Sequence, residues 1–108
     1  MTDKFPKELL LSPHLFQLVL DPHLNAVAGL SGQCAEDEQK ILIDADLTGT
    51  TLADTVLHEA LHGIWHQTEL DRAYTDEQEE QVIWTLAPRL LAFLLDNPEF
   101  VKWLKTFR

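Results

Sequence analysis

The chain has 108 residues, with 8 Lys and Arg against 18 Asp and Glu, a formal net charge of −10 and 45% hydrophobic residues. This size and hydrophobic content predict one folded domain over residues 1–108 and exclude the disordered class. The negative charge argues against nucleic acid and an anionic membrane surface as partners, because both attract clustered Lys and Arg.

Cysteine content and apolar runs bear on the compartment. Cys34 is the only cysteine, so the sequence offers no internal disulfide. The N-terminal segment lacks a signal-peptide pattern, and no stretch approaches the roughly 18 apolar residues that span a bilayer. We therefore expect an intracellular, cytoplasmic protein.

The first half of the chain contains short apolar runs. Those at 15–20, 25–28 and Lys40–Asp44 lie between Pro, Gly or acidic residues, a pattern typical of strands. Residues 9–11, near the start of the domain, form either a strand or a helical turn. Residues 1–50 are thus expected to be mainly strands and loops.

The second half has helical periodicity. Apolar residues recur at three- and four-residue steps over 52–65, behind a capping segment at 51–54. A second helix is predicted over 75–95, because Thr75 followed three residues later by Gln78 has the form of a capping box.

Two prolines divide the rest of the chain. Pro88 lies inside the second helix and is expected to kink it, whereas Pro98 suits the first turn of a short last helix. Residues 51–108 are thus mainly helical. The order of elements predicts an α+β fold, in which a short N-terminal sheet packs against the first long helix, followed by a second long helix and a short C-terminal one.

The segment that indicates chemistry is His-Glu-x-x-His, formed by His58, Glu59 and His62 on the first long helix. Residues four apart lie one turn apart on the same face, so the two histidines can bind one Zn²⁺. Glu59 lies about 100° away and can reach a zinc-bound water without being a ligand. We therefore expect Glu59 to act as general base in an attack on a carbonyl.

A catalytic zinc takes three protein ligands, and the sequence leaves the third open. His66 is a poor candidate, because it lies about 12 Å along the helix axis from His58. The variant motif with a third histidine further on is absent, since that position is Thr68. On the second long helix, Glu79 lies in the middle of the apolar face, where a metal would satisfy its carboxylate, and Glu80 lies on the flank.

Residues 57–65, 79–87 and 96–98 together resemble the small zincin-type metallopeptidase domains of phages and prophages, close to the minigluzincins and the ImmA/IrrE-type peptidases. The resemblance covers about half the chain, and its His-Glu-x-x-His motif is the specific part. It implies a zincin-like fold, a zinc cofactor and a peptide or protein substrate.

The resemblance also implies roles for individual residues. The family's spacing around the third ligand fits Glu80 better than Glu79, so Glu80 is expected to bind the metal and Glu79 is the alternative. The family's sheet has an edge strand along the metal cleft, here assigned to Lys40–Asp44, which an extended peptide could join as a further strand. Tyr74 and His66 are the candidates to stabilise the transition state.

These observations predict a zinc-dependent metallopeptidase. One alternative is a non-catalytic structural or interaction module of phage origin, in which zinc ties two helices together and Glu59 is dispensable. Another is an acidic mimic of nucleic acid that occupies a basic partner, suggested by the net charge alone and indifferent to His58 and His62.

Overall fold

The short apolar runs of the first half form strands and the periodic second half forms helices, which confirms the predicted α+β class. The computed structural model describes residues 4–108, so residues 1–3 of the expected domain lie outside the described residues. The strands are β1 (Glu8–Leu11), β2 (His14–Asp21), β3 (Gly32–Ala35) and β4 (Lys40–Asp44). The helices are α1 (Leu24–Ala28), α2 (Gly49–Trp65), α3 (Leu70–Ala73), α4 (Asp76–Asp96) and α5 (Pro98–Leu104).

The strands form one mixed sheet in the order β1-β2-β4-β3. β1 pairs antiparallel with β2, β2 pairs parallel with β4, and β3 pairs antiparallel with β4. The assignment of Lys40–Asp44 as the edge strand is therefore wrong, because β4 has a partner on both sides. Its residues Ile41 and Ile43 are fully buried, which suits an interior strand. The short and more polar β3 forms the edge of the sheet beyond β4, and β1 forms the opposite edge.

Two short elements also differ from the prediction. Residues 25–28, expected as a strand, belong to the helix α1, which ends at Gly29 in the left-handed conformation with φ of 68°. Residues 9–11 belong to β1, so the helical turn is excluded.

The long helices follow their sequence signals closely. α2 begins at Gly49, two residues before the expected capping segment, and ends at Trp65. The capping box of Thr75 and Gln78 is present with both hydrogen bonds formed. α4 continues through Pro88 to Asp96, and Pro98 occupies the first turn of α5 as predicted.

Two apolar clusters hold the layers together. The larger lies between the sheet and α2, and its buried members are Leu11, Phe16, Leu18, Ile41, Ile43 and Ala60. The smaller joins α2 to α4 through Trp65, Ile83 and Ala87, with Leu61 packed against them. α2 is therefore the central element, with the sheet on one side and α4 on another. No helix within residues 4–108 is long and apolar enough to cross a membrane.

α2 and the sheet approach each other closely at Gly63. A Cβ placed there would lie 2.6 Å from Leu11 Cδ1 and 3.4 Å from Cys34 Sγ. Because Leu11 is itself buried, we expect Gly63→Ala to lower the free energy of unfolding by about 1–3 kcal/mol, despite the better helix propensity of alanine.

Chemical denaturation of a double-mutant cycle tests this. In a Leu11→Ala background the obstructing side chain is gone, and Gly63→Ala should then be neutral or stabilising. An equal loss of stability in both backgrounds would show that the contact with Leu11 is not the cause.

Candidate metal centre

Helix α2 brings His58 and His62 together, because they are four residues apart and face the same way. Their Nε2 atoms lie 3.2 Å apart, and both side chains are about 15% exposed. Two nitrogen atoms bound tetrahedrally to one zinc would be roughly 3.3 Å apart. The histidine pair therefore has the spacing that a shared metal requires.

Glu80 completes this arrangement from α4. Its Oε1 lies 2.9 Å from His58 Nε2, and its Oε2 lies 2.9 Å from His62 Nε2. One ligand atom from each of the three residues falls within 4.8 Å of the others. Two imidazole nitrogens and a carboxylate are a donor set that zinc accepts, so these residues fit the metal.

Glu79 lies on the other side of the same imidazole. It is 4% exposed, as its predicted place on the apolar face of α4 requires, and its Oε2 lies 2.6 Å from His62 Nδ1. Because Glu80 rather than Glu79 faces the two Nε2 atoms, the geometry favours Glu80 as the third ligand.

Glu59 is buried between α2 and the edge strand. It is 9% exposed, and a Cβ on Gly32 of β3 would lie 2.9 Å from its Cγ. Burial raises the pKa of Glu59 to about 7, with Glu80 and Glu36 also raising it, while His62 and a backbone hydrogen bond from Cys34 oppose the rise. A carboxylate with a pKa near neutrality can both accept and release a proton, as a general base must.

The pKa of His62 is also raised by neighbouring carboxylates. Burial, the largest single influence, lowers its pKa, but the hydrogen bond to Glu79 and the nearby carboxylates of Glu59 and Glu80 together raise it above the usual value for histidine. A bound cation would compete with that proton, since a ligating imidazole must be neutral.

Clefts open on both sides of this site along β3. One, of about 420 Å³, contains His62 and His66. The other, of about 430 Å³, contains His58 and the exposed indole of Trp84. The two share Leu30, Gly32, Glu59 and Glu80. Residues 29–34, which comprise the start of β3 and the segment before it, thus line both clefts. We call the two clefts together the groove, and the candidate metal ligands lie where they meet.

His66 and Tyr74 occupy different surroundings. His66 borders the groove, with its Nδ1 3.0 Å from Asp71 Oδ1 and its Nε2 3.3 Å from Glu79 Oε2. The ring of Tyr74 packs 5.9 Å from that of Trp65, and Tyr74 does not line either half of the groove. Only His66 of this pair therefore lies where a reacting group could be contacted.

The structure also adds site residues that the sequence did not indicate. Gly32 and Cys34 lie on the edge strand against Glu59, and Asp71 joins through His66. Burial, followed by Glu36, raises the pKa of the Cys34 thiol to about 12, so this side chain is a wall of the groove and not a nucleophile. A glycine in a short strand was the one available signal, because it often marks a close approach by another group.

Comparison with protein-family models, curated proteins and solved structures found no match to this chain. The resemblance to zincins therefore depends on the residue pattern, and the assignment of ligands depends on the geometry described above.

The raised pKa of Glu59 has a consequence for stability in the metal-free protein. Between the ordinary value of 4.5 and about 7, the folded state retains a proton that the unfolded state releases. Stability is therefore lost as the pH rises through this window. Because glutamine is neutral, metal-free Glu59→Gln should exceed the wild type in free energy of unfolding at pH 8 by on the order of 2–3 kcal/mol, with a smaller difference at pH 5.

Urea denaturation at the two pH values, with a chelator present, measures this difference. Glu8→Gln is the matched control, since Glu8 is exposed on β1 and should show little change at either pH. A Glu59→Gln variant that is no more stable than the wild type at pH 8 would contradict the buried, raised-pKa state of Glu59.

Proposed function

We propose that this protein is a zinc-dependent metallopeptidase of the small zincin type. The observation that carries the proposal is the meeting of His58, His62 and Glu80 beside Glu59, which is buried against an open groove. A pair of histidines alone would suit many sites. A pair with a carboxylate across it and a second, desolvated carboxylate alongside suits hydrolysis.

His58 and His62 would hold the zinc through their Nε2 atoms, and Glu80 through its carboxylate. The metal would supply a Lewis acid that polarises the substrate carbonyl and brings the pKa of a coordinated water to near 7. Three protein ligands leave a position open for water and substrate, which is the arrangement of catalytic zinc sites.

Glu59 carries the proton transfers. Its buried carboxylate accepts a proton from the attacking water and then gives it to the departing amine nitrogen, which restores the ionised base. Its burial under Gly32 excludes bulk water from one side and holds the carboxylate in place. Of the two candidates to donate a hydrogen bond to the oxygen that becomes negative, His66 lines the groove and Tyr74 does not, and such a bond would require His66 Nε2 to turn from Glu79.

The substrate in this proposal is an extended peptide lying along β3. This strand is the edge of the sheet next to the site, and the groove continues on both sides of Glu59, so residues before and after the cleaved bond would both find room. The free thiol of Cys34 suits a reducing compartment, and we place the activity in the cytoplasm.

A non-catalytic zinc-stabilised module is the second candidate. It is favoured by the small apolar contact between α2 and α4, whose buried members are Trp65, Ile83 and Ala87. Zinc held by His58, His62 and Glu80 would tie these helices together. Chelation then separates the two functions, since a structural ion should be needed for folding and a catalytic one mainly for activity.

Zinc content is the first test. Purified protein should carry about one zinc per chain, and His58→Ala should carry almost none, because a site left with two protein ligands binds weakly. Elemental analysis after gel filtration measures both. His14→Ala is the matched control, since His14 is exposed on β2. Wild-type protein without zinc, or equal zinc in His58→Ala, would refute the metal site.

The role of Glu59 is the second test. Glu59→Gln should retain zinc but cleave a randomised peptide library at least about 100-fold more slowly, because general-base catalysis contributes a factor of this size. Mass spectrometry of the products measures cleavage, and Glu8→Gln should match the wild type. Undiminished cleavage by a zinc-loaded Glu59→Gln variant would overturn the mechanism and leave the zinc site intact.

A further inference from the structure

Glu79 is a buried carboxylate that the proposed mechanism does not use. It is 4% exposed and lies on the face of α4 that also carries the buried Ile83 and Ala87. Burying an unpaired carboxylate there would cost free energy of folding, so the groups that pair with Glu79 indicate its role.

Those partners are two imidazoles from the C-terminal half of α2 and its cap. Glu79 Oε2 lies 2.6 Å from His62 Nδ1 and 3.3 Å from His66 Nε2. The other ring nitrogen of His66 lies 3.0 Å from Asp71 Oδ1 on α3. The side chains thus form a continuous line from Asp71 through His66 and Glu79 to His62.

This line ends on the nitrogen of His62 that faces away from Glu80. Each ring nitrogen of His62 has a carboxylate oxygen within hydrogen-bond distance, and the ring nitrogen is the donor in such a bond. The contact of Nδ1 with Glu79 is the shorter, at 2.6 Å against 2.9 Å for Nε2 with Glu80, and Glu79 is the more buried of the two carboxylates. This favours the tautomer with its proton on Nδ1, which directs the lone pair of Nε2 at His58 and Glu80.

We propose that Glu79 is a positioning residue for His62. It fixes the ring orientation and the tautomer that present Nε2 to a metal, and His66 and Asp71 support its carboxylate. The inference rests on the proposed zinc site and assigns a role to a buried acidic residue that lies beside that site and faces the far nitrogen of His62. Two adjacent residues of α4 would then lie at opposite edges of the His62 imidazole. Glu80 would bind the metal beside Nε2, and Glu79 would accept a hydrogen bond from Nδ1.

Two substitutions test the role of Glu79. Glu79→Leu removes the acceptor but suits the apolar face, so the fold should survive, while Glu79→Gln retains one acceptor oxygen. Loss of a hydrogen-bonding partner behind a ligating histidine typically weakens metal affinity 10- to 100-fold. We expect a zinc dissociation constant raised by about this factor in Glu79→Leu, with Glu79→Gln in between, by competition with a chromophoric chelator.

A second measurement follows the tautomer of His62 without any metal. Long-range nitrogen-15 NMR, recorded at a pH high enough that the His62 ring has titrated to its neutral form, should show His62 in the Nδ1–H form in the wild type and a mixture of tautomers in Glu79→Leu. Glu77→Gln is the matched control, because Glu77 is exposed in the same turn of α4 and should change neither readout.

Each outcome decides between the proposals. Unchanged zinc affinity in folded Glu79→Leu, or a wild-type His62 without the Nδ1–H tautomer, would overturn the positioning role. If Glu79→Leu does not fold, Glu79→Gln and the wild type decide the question. The positioning role would be overturned by a wild-type tautomer and zinc affinity in Glu79→Gln, and equally by a wild-type His62 without the Nδ1–H form. A wild type that binds no zinc but shows the expected tautomers would refute the proposed function and the positioning of His62 for a metal, and only the control of the tautomer by Glu79 would stand.

Discussion

Two consecutive carboxylates of α4 meet the two nitrogens of one imidazole of α2, and the arrangement of the groove depends on this contact. Glu80 reaches Nε2 of His62 and Glu79 reaches Nδ1. Beside them the same helices join through the apolar cluster around Ile83. The rotation of α4 about its axis is therefore set from both sides, by apolar packing on one and by the contacts of Glu79 and Glu80 with the imidazole on the other. The capping box at Thr75 fixes where the helix begins.

The burial of Glu59 is set by a different neighbour, the edge strand β3. The absence of a side chain at Gly32 lets α2 approach β3 so closely that the Glu59 carboxylate loses most of its water. A general base obtained in this way has a destabilising effect on the metal-free fold at neutral pH, because its charge is poorly solvated. This is the usual conflict between a reactive site and a stable one.

The sequence predicted those features that depend on neighbours along the chain. The capping box, the spacing of His58 and His62, the bounds of β4 and the burial of Glu79 all follow from helical or strand periodicity. The order of the strands could not be predicted, since pairing joins segments distant in sequence, and so the edge was assigned to β4 instead of β3. Residues 25–28 were too short a run for periodicity to separate strand from helix. The zinc, the substrate and the catalytic use of the site stay predictions.

The placement of the candidate ligands along the chain has a consequence for assembly. The candidate ligands all lie on α2 and α4, which are separated only by residues 66–75 with the single turn of α3, so modest chain entropy is lost in bringing them together. These ligands are His58, His62, Glu79 and Glu80. The environment of Glu59, by contrast, requires β3, which is far away in sequence and depends on pairing with β4. In the proposed site, the ion and the base thus draw on different parts of the polypeptide. The ligands come from two helices, whereas the environment of the base also requires the sheet.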